Sequence, residues 1–291
     1  MPQKLPVYDL RAFQEEEKSP DFYSNALKLH VASHAFTNLP HKHDFYLIMV
    51  VTKGSGTHEI DFEKYTVTPG SVFIMKPGQM HFWKLSKDID GFVFFHSRAF
   101  FEAGFSDAAL QKFPFYNSTQ NSPYLKINTR TLDELKNRMQ EILQEYKGQK
   151  PFKTECLRAL VNLVYITLSR NYKPGKSIRN QTYLDQALAF ENLIEQHFKD
   201  IKSAGEYAAR LNITEKHLNR ITRSCFNKTT TRLIAERIML EAKRMLIHTR
   251  HNVTQIADLL GYADTSYFVR FFKKHAGETP LEFLNQYKQK E

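Results

Sequence analysis

The chain contains little cysteine and no long apolar run. Its 291 residues include two cysteines, Cys156 and Cys225, which excludes a disulfide framework or a thiolate metal site and indicates a reducing compartment. No apolar run approaches the roughly 20 residues that a membrane helix needs. The first 18 residues have neither an apolar core nor a small-residue cleavage site. We therefore expect a cytoplasmic protein.

Acidic residues are outnumbered by basic ones. Lys and Arg total 41 against 31 Asp and Glu, which gives a net charge of +10 and a pI of about 9.4. This excess is typical of proteins with a polyanionic partner, although diffuse solubilising charge has the same effect. The length favours two moderate domains.

Residues 253–283 are predicted to form a helix-turn-helix. Apolar residues recur at helical spacing up to Gly261, where the first helix would close in the left-handed conformation. Asp264 can cap a second helix with one apolar side and one basic, polar side. Gly277 and Pro280 are typical of its end. A plain helical corner would give the same local pattern, so this stretch alone leaves packing and DNA binding equally open.

A second, more degenerate copy of the pattern lies at 204–230. Thr214 is the predicted cap of its second helix, and Thr230 stands where the other copy has Pro280. Asn tolerates the left-handed conformation better than most residues and can replace glycine at two positions. The aligned pairs are Ala208 with Ala257, Leu211 with Leu260, Asn212 with Gly261, Leu218 with Phe268, Arg220 with Arg270, and Asn227 with Gly277. An internal repeat favours the helix-turn-helix interpretation.

Residues 231–248 separate the two copies and contain neither Gly nor Pro. A continuous helix is predicted here, about 25 Å long at about 1.5 Å per residue. That length is compatible with recognition helices in successive major grooves about 34 Å apart.

Two helix-turn-helix units joined by a long helix, closing on IADLLGYADTSYFVRFFKKHAGETPLEF, resemble the AraC/XylS family of bacterial transcription regulators. The resemblance covers about residues 185–288 and is more specific in the second unit. It implies recognition helices at about 214–224 and 264–274.

Exposed polar residues of these two helices are the predicted DNA contacts. Asn and Arg can make bidentate contacts to base edges, whereas Arg223 and Lys273, later in their helices, suit phosphates. An ion pair that braces each unit is the alternative role for Arg220 and Arg270. The candidates are Lys216, Asn219, Arg220, Arg223, Thr265, Ser266, Arg270 and Lys273.

Residues 43–96 contain short β-rich runs separated by Gly and Pro turns, which predicts a sandwich or small barrel. The runs are DFYLIMVV, THEIDF, YTVT, SVFIM, HFWKL and GFVFF. HKHDFYLIMVVTKGSG and TVTPGSVFIMKPGQMHFW resemble the cupin-type sensor domain of many AraC/XylS members. A small barrel can hold one small ligand, although side chains that simply fill the barrel would have the same composition. The candidate effector-pocket residues are His41, His43, Tyr46, His58, His81 and Trp83.

A metal site is the alternative use of these histidines. His41, His43 and His81 match the three histidine positions of cupin enzymes, but Leu47 stands where the carboxylate ligand is expected. We therefore expect no metal and no cofactor. A metal-dependent cupin enzyme with a helical appendage remains the alternative function.

The periodicity becomes helical from about residue 130 to 171, which predicts a helical hairpin that opens with a capping box at Thr131. The first helix has a narrow apolar stripe typical of a coiled-coil seam. Packing on the β-domain is one role for the hairpin, and homodimerisation, which the family resemblance favours, is the other. The dimerisation candidates are Leu132, Leu135, Met139 and Ile142.

These observations predict a two-domain α+β protein. A cupin-like β-barrel or sandwich at about 25–100 with its helical hairpin forms a sensing and dimerisation domain over 1–172. A polar linker at 173–182 leads to an all-α domain at 183–291 with two helix-turn-helix units. The predicted function is a sequence-specific, dimeric transcription regulator, not an enzyme, that binds double-stranded DNA and a small-molecule effector. RNA polymerase is a further candidate partner.

Overall fold

A computed structural model describes residues 6–13, 21–105, 109–116, 118, 120–172 and 181–290. These residues form two compact units, an N-terminal unit at 6–172 and a C-terminal unit at 181–290. Most of the predicted linker lies outside the described residues. Among the described helices, none combines the length and apolar character needed to cross a membrane.

The N-terminal unit is built on two antiparallel sheets and a short parallel pair, β1 with β3. The five-stranded sheet has the order β10-β7-β4-β9-β2, and the three-stranded sheet has the order β6-β5-β8. The strands are β1 (Val7–Tyr8), β2 (Phe22–Ala26), β3 (Lys42–His43), β4 (Tyr46–Lys53), β5 (Gly56–Ile60), β6 (Glu63–Val67), β7 (Ser71–Met75), β8 (His81–Leu85), β9 (Asp90–His96) and β10 (Tyr124–Lys126). The six predicted runs are confirmed as β4 to β9. Strands β2 and β10, which the sequence patterns missed, form the edges of the larger sheet.

Alternation along β4 divides the N-terminal unit into two cores. Ile48 and Val50 lie on the side that packs against the helical hairpin. Leu47 and Met49 lie on the opposite side, in the core that also contains Ile60 and Trp83 of the smaller sheet. The second core is therefore the interior between the two sheets.

The described residues of this unit form four α-helices: α1 (Leu27–Ser33), α2 (Arg98–Glu102), α3 (Thr129–Lys147) and α4 (Lys153–Asn171). The predicted hairpin is confirmed as α3 and α4. Its predicted capping box at Thr131 is wrong, because Asn128 caps α3 by accepting a hydrogen bond from the Thr131 backbone N–H at 2.9 Å.

The apolar stripe of α3 is buried within its own chain. Leu135, Met139 and Ile142 are at most 1% exposed and pack against the larger sheet and α4, with Leu132 at the edge of that core. This burial contradicts the interpretation of the stripe as a dimer seam. The larger sheet needs a helix to cover its apolar outer face, and α3 supplies that cover.

The C-terminal unit is all helical, as predicted. Its helices are α5 (Gln181–His197), α6 (Ala204–Arg210), α7 (Glu215–Phe226), α8 (Thr230–His248), α9 (Val253–Leu259), α10 (Thr265–Ala276) and α11 (Pro280–Lys290). Tyr207, Leu218, Ile238, Ile256 and Phe268 belong to one buried cluster. Because residues of α8 lie in the same cluster as residues of both helix-turn-helix units, the predicted long helix joins the two copies through one core.

Candidate DNA-binding interface and sensor core

The two helix-turn-helix units close their first helices in the same way. Asn212 and Gly261 have positive φ angles of 54° and 75°. The next residue donates its backbone N–H back into the helix, from Ile213 to the Ala208 carbonyl at 3.1 Å and from Tyr262 to the Ala257 carbonyl at 2.9 Å. This is the hydrogen bond of a Schellman motif. The repeat inferred from sequence is therefore also a repeat of backbone geometry.

Side chains cap both predicted recognition helices at the expected residues. The Thr214 hydroxyl accepts from the backbone N–H of His217 at 3.2 Å. Asp264 Oδ1 accepts from the N–H groups of Ser266 and Tyr267 at 2.6 and 3.2 Å. Both helices end at a residue with positive φ, Asn227 or Gly277. Local sequence therefore defines both ends of α7 and α10.

The outer face of α7 is polar and mostly exposed. Lys216, Arg220 and Arg223 are exposed, whereas Asn219 is half-buried and its Oδ1 accepts from the Thr230 backbone N–H at 3.2 Å. Arg220 donates to the ring nitrogen Nδ1 of His217. A groove runs beside this face between α7 and the start of α8. Its lining residues are Glu215, Lys216, Asn219, Thr229, Thr230 and Thr231.

The outer face of α10 is similar. Ser266, Arg270 and Lys273 are exposed and Thr265 is half-buried. Tyr267, which the sequence reasoning did not select, is 57% exposed at the start of the same face. Tyr267 immediately precedes the apolar Phe268 in the sequence, and this position was the signal that could have identified Tyr267 as an exposed residue of the recognition helix.

Neither Arg220 nor Arg270 forms an ion pair with any described residue, which contradicts the bracing alternative. Arg237 of α8 forms ion pairs of that kind with one residue of α5 and one of α8. Its Nε lies 2.6 Å from Glu195 of α5, and its Nη1 lies 3.1 Å from Glu241. These carboxylates raise the pKa of the Arg237 guanidinium against the opposing effect of burial. The two predicted base-reading arginines are left facing solvent.

Five of the six effector-pocket candidates lie together between the two sheets of the N-terminal unit. His58, His81 and Trp83 are contributed by the smaller sheet, and the His81 ring centroid lies 4.2 Å from that of His41 and 5.1 Å from that of His43. All five are at most 2% exposed. The sixth, Tyr46, lies on the other face of the larger sheet, stacked on His96. Its inclusion was wrong because Tyr46 and the inward-pointing Leu47 alternate along β4.

Hydrogen bonds define the tautomers of two of these rings. Nδ1 of His41 lies 2.8 Å from the Leu39 carbonyl, and Nδ1 of His43 lies 2.8 Å from the Phe45 carbonyl. A carbonyl only accepts, so Nδ1 carries the proton and Nε2 of each ring carries a lone pair. Nε2 of His58 lies 2.9 Å from Nδ1 of His81. This arrangement presents acceptor nitrogens between the two sheets.

Burial keeps these imidazoles neutral. It lowers the pKa of His43 and of His58 to about 3 and also lowers that of His41, while the pKa of His81 falls well below its usual value. His30 of α1, which the sequence reasoning missed, joins the cluster with a pKa lowered by burial to about 3. It lies in a helix outside the recognised β-rich runs.

Several buried polar atoms of this interior lack a hydrogen-bond partner. They are Nε2 of His30, His43 and His81, Nδ1 of His58, and Nε1 of Trp83. Buried polar groups are normally paired, so these atoms point to a bound polar molecule or water. Within the described ranges, no three His, Cys, Asp or Glu side chains are arranged to hold a metal ion. Leu47 contributes an apolar side chain to this core.

Comparisons with known proteins match both units. A family model described as an AraC-like ligand binding domain matches residues 26–159, and one described as a helix-turn-helix domain matches residues 207–286. The transcriptional activator RhaR of Yersinia pestis is 20% identical over 253 residues, 86% of each chain. RhaS of Escherichia coli is 23% identical over 246 residues, 83% of this chain and 86% of RhaS. The ToxT structure from Vibrio cholerae aligns with 91% of this chain and 98% of ToxT at 13% identity and a TM-score of 0.43.

The two matched models correspond to the two structural units in the order that the resemblance predicts. The chain is therefore a DNA-binding transcription regulator of the AraC family.

Proposed function

We propose that the protein is a cytoplasmic, dimeric activator that reads a specific operator with α7 and α10 in response to a small molecule. The observation that supports this most directly is the repeat of two capped helices whose exposed faces carry Lys216, Arg220, Arg270 and Lys273, none of which forms an ion pair with a described residue. RhaR and RhaS, which are named transcriptional activators, support the activator role. RNA polymerase is the partner that activation requires.

The helix α8 suits a two-groove reader. Its 19 residues span about 28 Å at about 1.5 Å per residue. Successive major grooves on one DNA face are about 34 Å apart. We propose that α7 and α10 enter such neighbouring grooves.

Arg220 and Arg270 are the proposed base readers, because a guanidinium can contact a guanine edge with two hydrogen bonds. Lys216, Thr265 and Ser266 lie at the starts of the same helices and are proposed as further contacts. Arg223 and Lys273 are proposed to bind phosphates. Asn219 is the weakest base-reading candidate, because its side-chain oxygen already accepts from Thr230.

The interior between the two sheets is the proposed effector site. His41, His43, His58, His81 and Trp83 converge there, and four of them have unpartnered buried nitrogens. Such atoms would give a small ligand its orientation. We propose a sensing domain over 1–172, a linker over 173–182 and a DNA-binding domain over 183–291.

Fluorescence anisotropy with DNA from the protein's own upstream region tests this function. We expect operator DNA to bind at least about 1,000-fold more tightly than scrambled DNA. The affinity should fall steeply with salt, with a log–log slope of about −0.9 per neutralised phosphate. Equal affinity for both DNAs, or an affinity that salt does not change, would contradict the proposal.

A further inference from the structure

His217 and Tyr267 occupy the same position in the two recognition helices. Each is the third residue of its helix, and each lies three residues before the arginine proposed to read a base, Arg220 in α7 and Arg270 in α10. Side chains three positions apart are neighbours on the surface of an α-helix. Both residues are therefore within reach of the arginine that follows.

In α7 the two side chains form a hydrogen bond. Nη2 of Arg220 donates to Nδ1 of His217. A guanidinium has no acceptor, so Nδ1 of His217 carries the lone pair and the ring proton lies on Nε2. Among the described residues, His217 is the only hydrogen-bond partner of the Arg220 side chain. The bond holds one end of the guanidinium and leaves its other N–H groups available to a base.

His217 is itself held on two sides. Its backbone N–H donates to the Thr214 hydroxyl at 3.2 Å. Its ring meets the Tyr183 ring of α5 edge to face, with centroids 5.8 Å apart and an angle of 89° between the ring planes. Tyr183 in turn packs against the buried Ile221 of α7. The half-buried His217 is therefore a fixed support for the exposed Arg220.

The second unit lacks this pair. Tyr267 is 57% exposed, and its ring lies beside that of Tyr262, with centroids 5.9 Å apart and an angle of 33° between the planes. Within the part of the chain that the structure describes, Arg270 forms no side-chain hydrogen bond with Tyr267 or with any other residue. A neighbouring side chain therefore orients Arg220 but not Arg270.

Prior orientation favours the reading of a base. A bidentate contact requires two N–H groups of the guanidinium to face one base edge. An arginine that rotates freely loses conformational entropy when it is fixed in this way, and a side chain that is already held loses less. This advantage arises only on DNA with the matching base, because a mismatched base does not fix the guanidinium. His217 should therefore increase discrimination between bases more than it increases affinity for DNA in general.

We propose that His217 is a positioning residue that holds Arg220 in the orientation needed to read a base. The first unit then discriminates at its base pair with an oriented arginine, and the second unit with a freely rotating one. This inference rests on the proposed base reading by Arg220 and adds how that contact is prepared. It requires a hydrogen-bond acceptor at residue 217. Asparagine is the conservative replacement, because its Oδ1 is an acceptor attached at the same carbon as Nδ1 of histidine.

Operator DNAs with single-base changes test the proposal. Fluorescence anisotropy of the full chain first locates the base pair at which Arg220→Ala loses discrimination, by about 5-fold to 150-fold for a bidentate contact. At that base pair we expect His217→Ala to lose discrimination at least about threefold. His217→Asn, which keeps an acceptor beside Arg220, should stay within about twofold of the wild type. Tyr267→Ala is the matched control in α10 and should leave discrimination at the base pair read by Arg270 unchanged.

The ratio of two affinities separates positioning from stability. A less stable variant has a smaller folded fraction, which weakens binding to matched and mismatched DNA equally and leaves their ratio unchanged. The double variant His217→Ala with Arg220→Ala gives a further measurement. It should lose no more discrimination at this base pair than Arg220→Ala alone, because the side chain that His217 positions is absent.

Three results would overturn the inference and leave Arg220 as a base reader. Wild-type discrimination in His217→Ala would show that Arg220 needs no support. Equal losses in His217→Ala and His217→Asn would assign the effect to packing of the imidazole ring. A further loss in the double variant would show that His217 contacts the base pair itself. A uniform loss for Arg220→Ala on all operator DNAs would instead contradict the proposed base reading, and the inference would fail with it.

Discussion

The Asn219 side-chain oxygen accepts a hydrogen bond from the backbone N–H of Thr230 at 3.2 Å. This bond ties the first recognition helix to the start of α8. The second copy has Val269 and Pro280 at the aligned positions, and proline has no backbone N–H to donate. The first copy therefore joins its recognition helix to the next helix by this hydrogen bond. The second copy has neither the side-chain acceptor nor the backbone donor for it.

Removing that acceptor should destabilise the C-terminal unit. Asn219→Ala is expected to lower the free energy of unfolding by about 1 kcal/mol, and Asn219→Asp, which keeps an acceptor, should lower it less. The double variant Asn219→Val with Thr230→Pro should lose less than the sum of the single changes. Urea unfolding of the wild type and of these five variants, with Asn219→Val and Thr230→Pro each measured alone, tests these expectations. Strict additivity would show that the two residues do not cooperate.

Substitutions in α10 should separate base reading from phosphate binding. Arg270→Ala should cost about 1–3 kcal/mol on operator DNA and relax specificity at one base pair. Lys273→Ala should weaken binding to all sequences alike and reduce the salt slope by about 1. Anisotropy titrations with single-base operator variants measure both. A uniform loss for Arg270→Ala would assign that side chain to a phosphate.

Gly261 and Gly277 of the second helix-turn-helix should differ in how well they tolerate substitution by alanine. A Cβ at Gly261 would lie 2.0 Å from the Lys199 carbonyl oxygen, whereas one at Gly277 would meet nothing within 4 Å. Both have positive φ, 75° and 86°, so each alanine costs about 1 kcal/mol from backbone conformation. Gly261→Ala should lower the melting temperature clearly more than Gly277→Ala. Equal losses would show that the Lys199 backbone moves aside freely.

The buried histidines should make the N-terminal unit sensitive to acid. The pKa of His30, His43 and His58 falls from 6.5 to about 3 in the folded protein, so below about pH 6.5 the unfolded chain binds protons that the folded chain does not. Stability from these groups is complete above that pH and is lost as the pH falls towards 3.

The fluorescence of Trp83, the single tryptophan, buried in the same core, can follow urea unfolding at each pH. Each such histidine should add a slope of about 1.4 kcal/mol per pH unit between pH 6 and 4. His58→Gln should reduce the wild-type slope by that amount. An unchanged slope would indicate that His58 is protonated in the folded state.

Local patterns predicted the helix-turn-helix units almost completely. The caps at Thr214 and Asp264 and the left-handed residues Asn212, Gly261 and Gly277 follow from hydrogen bonds and backbone sterics within a few residues. These interactions depend mainly on neighbouring residues, so local sequence can predict them, although the same reasoning placed the cap of α3 at Thr131 and the structure has it at Asn128. The same holds for the six runs that became β4 to β9.

The sequence patterns predicted less reliably which surface each apolar side of an element contacts in the folded protein. The α3 stripe has seam-like spacing, and only its position over the larger sheet shows that one copy of the chain buries Leu135 and Met139. Tyr46 was a pocket candidate as one of the alternate positions on the predicted strands, yet it lies on the side of the larger sheet that packs against the hairpin. The use of Asn219 as an acceptor for Thr230 depends on an approach of two helices that local spacing does not specify.

The linear chain thus determined the helices of both helix-turn-helix units with their ends, the strands β4 to β9, and the presence of two copies of one DNA-binding unit. Capping, turn geometry and periodicity act over distances of a few residues. Which side of each element is buried, and which of Cys156, Leu163 and Ile166 stay exposed on α4, was decided by the packing of elements distant in sequence. The hydrophobic effect favours the burial of apolar surface whichever element covers it. Only the folded structure therefore identifies which apolar face remains exposed.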